Sequence, residues 1–195
     1  MTPLEVAGNA FTLASVYLAR RNSVHTWWTG MVGVSLYAVM FFGAKLYADV
    51  VLQAFFVGTC VVGWWQWRHG GAGGAELPIS TLGTRQRVAT GAAVLLAAVF
   101  FGTLFGRFTD AALPYADSYI LGGSVVAQLL MMRRMLDHWP IWITVDVVAV
   151  AVYAVKGLFL TSAVYAVLLV LCVQGIAEWR RIYAAQGVAP ADAVA

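Results

Sequence analysis

Polar and aromatic side chains recur within long apolar segments of this sequence, at spacings that place them on single faces of helices. The sixth apolar segment carries four of them at intervals of three, four and seven residues: Trp139, Trp142, Asp146 and Tyr153. The third segment carries a second stripe, which runs from Gln53 through Trp64 to Trp67. Residues three, four or seven apart return to the same face of an α-helix. Each segment therefore presents aromatic rings together with a carboxylate or an amide.

Aromatic faces combined with a few amides and carboxylates suit a flat heterocycle joined to a hydroxyl-rich sugar. Indole and phenol rings stack on a flat ring or hold a cationic ring through their quadrupole. Glutamine and aspartate side chains accept hydrogen bonds from sugar hydroxyls. The candidate binding residues, collected from four apolar segments, are Gln53, Trp64, Trp67, Asp117, Gln128, Trp139, Trp142, Asp146, Tyr153 and Gln174.

The composition of the chain indicates what surrounds these residues. The 195-residue chain is 62% hydrophobic and 11% charged, with a mean hydropathy of +0.80. Ordinary globular chains carry about 25% charged residues, so this chain has too few polar side chains to cover a surface in water. The composition excludes the soluble and the disordered classes and predicts an integral membrane protein. The Lys and Arg residues stand at the ends of apolar segments and form no basic patch, which argues against a nucleic-acid partner.

Seven segments are long and apolar enough to cross a bilayer as helices. A span needs about 20 mostly apolar residues to cover ~30 Å of hydrocarbon, and an α-helix satisfies its own backbone hydrogen bonds there. We predict the spans at 5–21, 27–44, 47–67, 86–106, 117–134, 139–157 and 160–180. The predicted fold is an all-α membrane protein with seven transmembrane helices in a single transmembrane domain, 1–195.

The basic residues between the segments predict the orientation of the chain. Nine of the 12 Lys and Arg residues lie in the connections that follow spans one, three, five and seven. The other three residues are Lys45, Arg107 and Lys156, on the opposite side. Because short cytoplasmic loops are enriched in basic residues, we predict that the N-terminus lies outside the membrane and the C-terminus in the cytoplasm.

The two halves of the chain resemble each other. A shift of 114 residues aligns identical residues, among them Arg20 with Arg134, Trp28 with Trp142, Leu46 with Leu160 and Trp65 with Trp179. We predict repeat one at 5–67, a linker helix at 86–106 and repeat two at 117–181. Two three-helix units separated by one span point in the same direction, so the predicted repeat is parallel, about an axis along the membrane normal. Secondary transporters use this layout.

The candidate residues also have structural interpretations. Tryptophans near helix ends anchor membrane proteins at the interface, which applies to Trp27, Trp28, Trp64, Trp139, Trp142 and Trp179. Asp146 is alternatively explained by a structural hydrogen bond or by an ion pair with Lys156. The three glutamines alternatively join helices by hydrogen bonds. Since an ionisable group at the bilayer centre costs about 2.5 kcal/mol or more, it needs a partner, a wet cavity or a ligand.

The motifs of several other chemistries do not occur in the sequence. The three histidines are isolated, and there is no HExxH or CxxC spacing, so we expect no metal site. There is no GxxxxGK[ST] loop to cradle the phosphates of ATP. Asp117 and Asp146 lack a nucleophile at the spacing that an intramembrane hydrolase would need. We therefore expect a protein that is not an enzyme and has no cofactor.

Four stretches of the sequence together resemble the PnuC family of vitamin and nucleoside transporters. They are LYADVVLQAFFVGTCVVGWWQW (46–67), DSYILGGSVVAQLLMMRR (117–134), HWPIWITVDVVAVAVYAVKGLFLTSAVYAVLL (138–169) and QGIAEWRR (174–181). The more specific motifs within them are the LQxFF at 52–56, the GWxxW at 63–67, the WxxW at 139–142 and the KGLxLT at 156–161. The resemblance extends over nearly the whole chain from the second span onward.

The resemblance implies a SWEET-like fold of three helices, one helix and three helices, in a bacterial inner membrane. It further implies facilitated diffusion of a vitamin precursor, with nicotinamide riboside first and thiamine or riboflavin as alternatives, followed by trapping through cytoplasmic phosphorylation. A homotrimer is the expected assembly. By the motif match, the residues bordering the substrate are Gln53, Trp64, Trp67, Trp139, Trp142 and Asp146. A membrane scaffold without transport activity, whose polar residues only tie helices together, is the other hypothesis that stays open.

Overall fold

A computed structural model describes residues 3–45, 47–110 and 112–187, and these residues contain seven α-helices. The helices are α1 (Pro3–Arg20), α2 (His25–Gly43), α3 (Tyr47–His69), α4 (Thr84–Phe108), α5 (Pro114–Met132), α6 (His138–Val155) and α7 (Phe159–Ala185). The all-helical prediction is confirmed, and every predicted segment coincides with a helix to within a few residues. Leu46, which begins one of the stretches resembling the PnuC family, and both ends of the predicted 1–195 domain lie outside the described residues.

Four of these helices are both long and apolar enough to cross a membrane. They are Asp49–His69 within α3, α4, α6 and α7. Helices α1, α2 and α5 contain 18, 19 and 19 residues, which is at least the 18-residue length of α6. Many large apolar side chains lie on outer surfaces: Leu96 is 70% exposed and Phe159 is 72% exposed. Such faces are suited to lipid and not to water, as expected for a multi-pass membrane protein.

The chain divides into two compact units. Unit one contains α1, α2 and α3 together with residues 132–134, and unit two contains α4 to α7. In unit one, α1 and α2 are tied by a reciprocal pair of hydrogen bonds. The Ser15 hydroxyl donates to the Thr26 carbonyl at 2.8 Å, and the Thr26 hydroxyl donates to the Ser15 carbonyl at 2.9 Å. Further along, the Tyr37 hydroxyl donates to Asn9 Oδ1 at 2.8 Å.

A tryptophan of α2 packs onto a glycine of α3 in unit one. The Trp27 ring covers Gly63 so closely that a Cβ there would lie 2.5 Å from the indole. The ring also meets Trp67 edge to face, with centroids 5.3 Å apart and an interplanar angle of 90°. Both tryptophans are 1% exposed. The small residue lets the two helices approach, and the two indoles fill the space beside it.

Unit two contains the same contact between α6 and α7. Trp139 covers Gly175, where a Cβ would lie 2.5 Å from the indole, and meets Trp179 at 5.8 Å and 82°. His138 packs on both tryptophan rings, with centroids 4.5 Å and 4.8 Å away. Trp27, Trp139 and Trp179 are therefore buried packing residues, and the interpretation of these three as interfacial anchors is wrong. The exposed Trp28 and Trp64 remain candidates for that role.

The residues of these matching contacts are 112 positions apart in the chain. Three helix boundaries follow that spacing: the ends of α1 and α5 at Arg20 and Met132, the ends of α2 and α6 at Gly43 and Val155, and the starts of α3 and α7 at Tyr47 and Phe159. The glycines under the indoles, Gly63 and Gly175, are also 112 residues apart. The 114-residue shift read from identical residues is thus two residues too long.

The turns after α1 and α5 show the same register. Asn22 and Arg134, 112 residues apart, both adopt a left-handed conformation with φ of 53° and 54°. Each turn is closed by the following backbone N–H, which donates five residues back: Ser23 to the Leu18 carbonyl at 2.9 Å and Met135 to the Leu130 carbonyl at 3.0 Å. This is the Schellman arrangement of helix C-termini. Arg134 is therefore equivalent to Asn22, and not to Arg20 as the 114-residue shift would have it.

We expect Gly63→Ala to lower the stability of the protein. The new Cβ would collide with a rigid indole, and overpacking of this kind costs about 1–3 kcal/mol, which exceeds the ~0.5–1 kcal/mol that alanine gains over glycine in a helix. Thermal unfolding in detergent measures the change. Gly58→Ala on the same helix is the matched control, because a Cβ there meets nothing within 4 Å. Equal melting temperatures for the two variants would contradict the packing argument.

Candidate functional site

A buried carboxylate lies halfway along the sixth helix. Asp146 is the ninth of the 18 residues of α6 and is 2% exposed. It is held from α7 by the Cys172 thiol, which donates to Asp146 Oδ2 at 3.3 Å. Within the described residues this thiol is the hydrogen-bond partner that the structure shows for Asp146. A weak donor compensates only a small part of the cost of burying a carboxylate at membrane depth, so the group retains acceptor capacity for a ligand.

Aromatic residues extend along α6 on both sides of Asp146. Trp142 lies one turn before it and is half-buried. Tyr153 lies two turns after it and stacks on Tyr165 of α7, with ring centroids 5.1 Å apart and an interplanar angle of 28°. Helices α6 and α7 thus bring together an indole, a carboxylate and a phenol pair, which is the chemistry that a heterocycle linked to a sugar requires.

Other predicted site residues have mainly structural surroundings. The rings of Trp67 and Trp139 are buried in the packing contacts described above. Trp64 is 37% exposed, with the Arg68 guanidinium 5.4 Å from its ring centroid. Gln53 on α3 is 9% exposed. These four positions are not shown to contact a substrate, and their assignment to the site stays a prediction.

Asp117 is paired with a lysine. The Lys156 ammonium donates to Asp117 Oδ1 at 2.7 Å and to Oδ2 at 2.8 Å. Asp117 lies in the first turn of α5, and Lys156 directly follows the last residue of α6. The ion pair therefore joins the start of α5 to the end of α6. The suggested pair between Lys156 and Asp146 is therefore wrong. Ten residues of one helix span about 15 Å, which is beyond the reach of the lysine side chain.

The two remaining glutamines differ in their surroundings. Gln128 is half-buried on α5, and Gln174 is exposed on α7. Both residues have an interaction partner. Across the described ranges, no group of three or more His, Cys, Asp or Glu side chains is placed to hold a metal ion.

A buried arginine was missed by the sequence interpretation, which treated it only as a topology signal. In unit one, Arg134 donates from Nε to Asn22 Oδ1 at 3.1 Å and from a terminal nitrogen to the Leu77 carbonyl. Its guanidinium lies 4.8 Å from the Trp67 ring centroid and 3.5 Å from Glu76. Burial lowers the pKa of Arg134, and the Glu76 carboxylate acts in the opposite direction. This cluster fastens the connection after α3 to the turn after α5.

Two further residues at the contact between α6 and α7 also escaped prediction. Cys172 and Tyr165 are not among the candidate binding residues, although Cys172 contacts Asp146 and Tyr165 contacts Tyr153. The 112-residue spacing was a usable signal for finding them, because it aligns Cys172 with Cys60 and Tyr165 with the candidate binding residue Gln53. No local pattern in the sequence identifies either residue as a neighbour of the carboxylate or the phenol on α6.

Comparison with known proteins identifies relatives over almost the whole chain. The family model described as nicotinamide mononucleotide transporter matches residues 2–181. The chain is 26% identical to the nicotinamide riboside transporter PnuC of Escherichia coli strain K12, over 90% of this chain and 84% of the relative. It is 27% identical to the riboflavin/roseoflavin transporter RibM of Streptomyces davaonensis, over 90% of this chain and 83% of the relative.

The fold has a counterpart among solved structures. The crystal structure of the vitamin B3 transporter PnuC superimposes with a TM-score of 0.74, covering 93% of this chain and 82% of that chain at 24% sequence identity. At this identity the likeness establishes the fold alone. The curated relatives are transporters and not enzymes, and the family match covers all seven helices apart from the last turn of α7. The chain therefore belongs to the nicotinamide mononucleotide transporter family.

Proposed function

We propose that this protein mediates facilitated uptake of a vitamin-precursor nucleoside, with nicotinamide riboside as the substrate. The observation that carries the proposal is the family match over residues 2–181. Two of the relatives are named for nicotinamide riboside and for riboflavin, so the compounds moved by this group share a flat ring and a polyhydroxy chain or sugar. Transport occurs by alternating access, and cytoplasmic phosphorylation traps the substrate.

The proposed substrate contacts in unit two are Trp142, Asp146 and Tyr153. Trp142, one turn before Asp146, stacks on the ring, and Asp146 accepts hydrogen bonds from hydroxyl groups. Tyr153 lies farther along the same face of α6 and contacts the substrate at its other end. An ionised Asp146 also favours a positively charged ring, because charges attract strongly where water is excluded. The pyridinium ring of nicotinamide riboside satisfies this requirement. The involvement of Asp117, Gln128 and Gln174 is part of the same proposal.

Riboflavin is the second candidate substrate. The relative RibM is as similar to this chain as the E. coli PnuC protein is, at 27% and 26% identity. The flavin ring is neutral, however, and gains less from a nearby carboxylate than a pyridinium does. Thiamine is cationic and satisfies the charge requirement, so it is included in the test below as a third candidate.

We further propose that all seven helices span the membrane in a SWEET-like parallel repeat, with α4 as the linker. The 112-residue spacing of helix ends, turns and Trp–Gly contacts supports this arrangement. A single span between two three-helix repeats gives both the same direction. The basic residues in the connections support an outer N-terminus and a cytoplasmic C-terminus in a bacterial inner membrane. A homotrimer is the proposed assembly.

Proteoliposomes containing the purified protein test the function. Radiolabelled nicotinamide riboside, thiamine and riboflavin are supplied separately, with no ion gradient and no ATP, and empty liposomes serve as the control. We expect nicotinamide riboside to equilibrate and to exchange with unlabelled substrate preloaded inside. Faster riboflavin exchange would favour the second candidate. No exchange and no calorimetric binding of any of the three would support the scaffold hypothesis instead.

A further inference from the structure

A thiol lies directly against the proposed substrate carboxylate. Cys172 is 3% exposed and Asp146 is 2% exposed, and the thiol donates to Asp146 Oδ2 at 3.3 Å. The bond links the middle of α6 to α7. Only one of the two carboxylate oxygens is engaged by this donor, which leaves Oδ1 as an acceptor.

The contact is not needed to hold the two helices together. In unit two, the Ser162 hydroxyl already ties α7 to α6 by donating to the Val150 carbonyl at 2.9 Å. The indole of Trp139 packs onto Gly175 between the same two helices. A thiol is among the weakest hydrogen-bond donors of the side chains, so it is a poor choice for a structural tie to a buried charge.

Repeat one supplies an internal comparison. The 112-residue register aligns Cys172 with Cys60 and Asp146 with Val34. Cys60 is also buried, at 4% exposure, yet its helix pair packs without any carboxylate at the equivalent position. The fold of a three-helix unit therefore does not require the carboxylate, whereas a buried thiol is present in both repeats. The pairing of this thiol with a carboxylate in repeat two alone indicates a role in substrate handling.

We propose that Cys172 is a positioning residue for transport: its thiol fixes one oxygen of Asp146 so that the other faces the hydroxyl groups of the substrate. This inference rests on the proposed function. An aspartate side chain without that donor rotates about its terminal torsion, and ordering it again on binding reduces the affinity. The thiol thus sets the substrate affinity without touching the substrate.

The test compares transport kinetics of Cys172→Ala, Cys172→Ser and Cys60→Ala in proteoliposomes, with labelled nicotinamide riboside. We expect Cys172→Ala to raise KM about fivefold with little change in the maximal rate. Cys172→Ser, whose hydroxyl also donates, restores KM to within about twofold of the native value. Cys60→Ala is the matched control, because it removes an equally buried thiol that faces no aspartate. Equal KM values for the two alanine variants would overturn the inference.

A double-mutant cycle distinguishes a loss of positioning from general damage to the fold. In an Asp146→Asn background, Cys172→Ala should have no further effect on KM, since the group that the thiol positions has been changed. The same fivefold effect in both backgrounds would mean that the thiol acts on packing, and the inference would fail. If Asp146→Asn reduces transport but Cys172→Ala is silent, the positioning role alone is refuted. If both are silent, the proposed site in unit two is refuted as well.

Discussion

Asp146→Asn is expected to reduce the kcat/KM of nicotinamide riboside uptake by about tenfold to a hundredfold. Hydrogen bonds to a charged acceptor are roughly twice as strong as neutral ones, and the asparagine also loses the attraction to a cationic ring. Membrane insertion should be unaffected or improved, because an amide costs less than a carboxylate at the bilayer centre. Counterflow in proteoliposomes measures the transport, and size-exclusion chromatography in detergent measures the folded yield.

Asp110→Asn is the control for this substitution. Asp110 is an exposed aspartate in the connection between α4 and α5, so the same chemical change there should leave uptake intact. A second readout is substrate selectivity. Loss of the charge should weaken the binding of nicotinamide riboside and thiamine more than the binding of neutral riboflavin. If uptake by Asp146→Asn matches that of Asp110→Asn, Asp146 has no part in substrate binding.

Arg134→Ala is expected to cause the largest loss of stability. The substitution removes hydrogen bonds to Asn22 and to the Leu77 carbonyl, and the cation–π contact with Trp67. Contacts of this kind contribute about 1–3 kcal/mol each at most. Since 1 kcal/mol corresponds to about 2–4 °C for a chain of this size, we expect a fall in melting temperature of about 5–10 °C. Thermal unfolding in detergent, followed by the loss of the monodisperse chromatographic peak, is the measurement.

Arg133→Ala is the matched control, because it removes the same charge from the neighbouring exposed residue. Its melting temperature should stay within about 1 °C of the native value, as is usual for surface substitutions. The melting temperature of Arg134→Lys should lie between those of Arg133→Ala and Arg134→Ala. Lysine keeps the positive charge but lacks the planar guanidinium that binds two acceptors at once. Indistinguishable melting temperatures for Arg133→Ala and Arg134→Ala would show that the buried cluster has no stabilising role.

The helices were predictable from the sequence because membrane insertion is a local property. Whether a segment crosses the hydrocarbon depends on the summed hydropathy of about 20 consecutive residues. That sum contains no information about neighbouring helices. The summed hydropathy identified α4 and α7 as readily as α6, and the span that it predicted for α6 has Asp146 near its middle. The all-helical class followed from the same property and is confirmed by the structure.

The pairing of charges was only partly predictable. Helix geometry excludes a bond between Asp146 and Lys156, because Lys156 directly follows the last residue of α6 and about 15 Å separates helical residues ten positions apart. The pair that does form, between Asp117 and Lys156, joins the start of α5 to the end of α6. Recognising it requires knowing that these two helix ends meet, which is a property of the tertiary structure.

The amino-acid sequence by itself determined that this is a helical membrane protein, how many helices the described part of the chain contains and which polar groups enter the apolar segments. Only the tertiary structure decided that Trp27 and Trp139 are packing residues, while Trp28 is exposed. All three indoles stand near helix ends in similar apolar sequence. What distinguishes them is a glycine on the facing helix, Gly63 or Gly175, that leaves room for the ring. Such complementarity depends on contacts between residues far apart in the chain, and no periodicity within one helix reveals it.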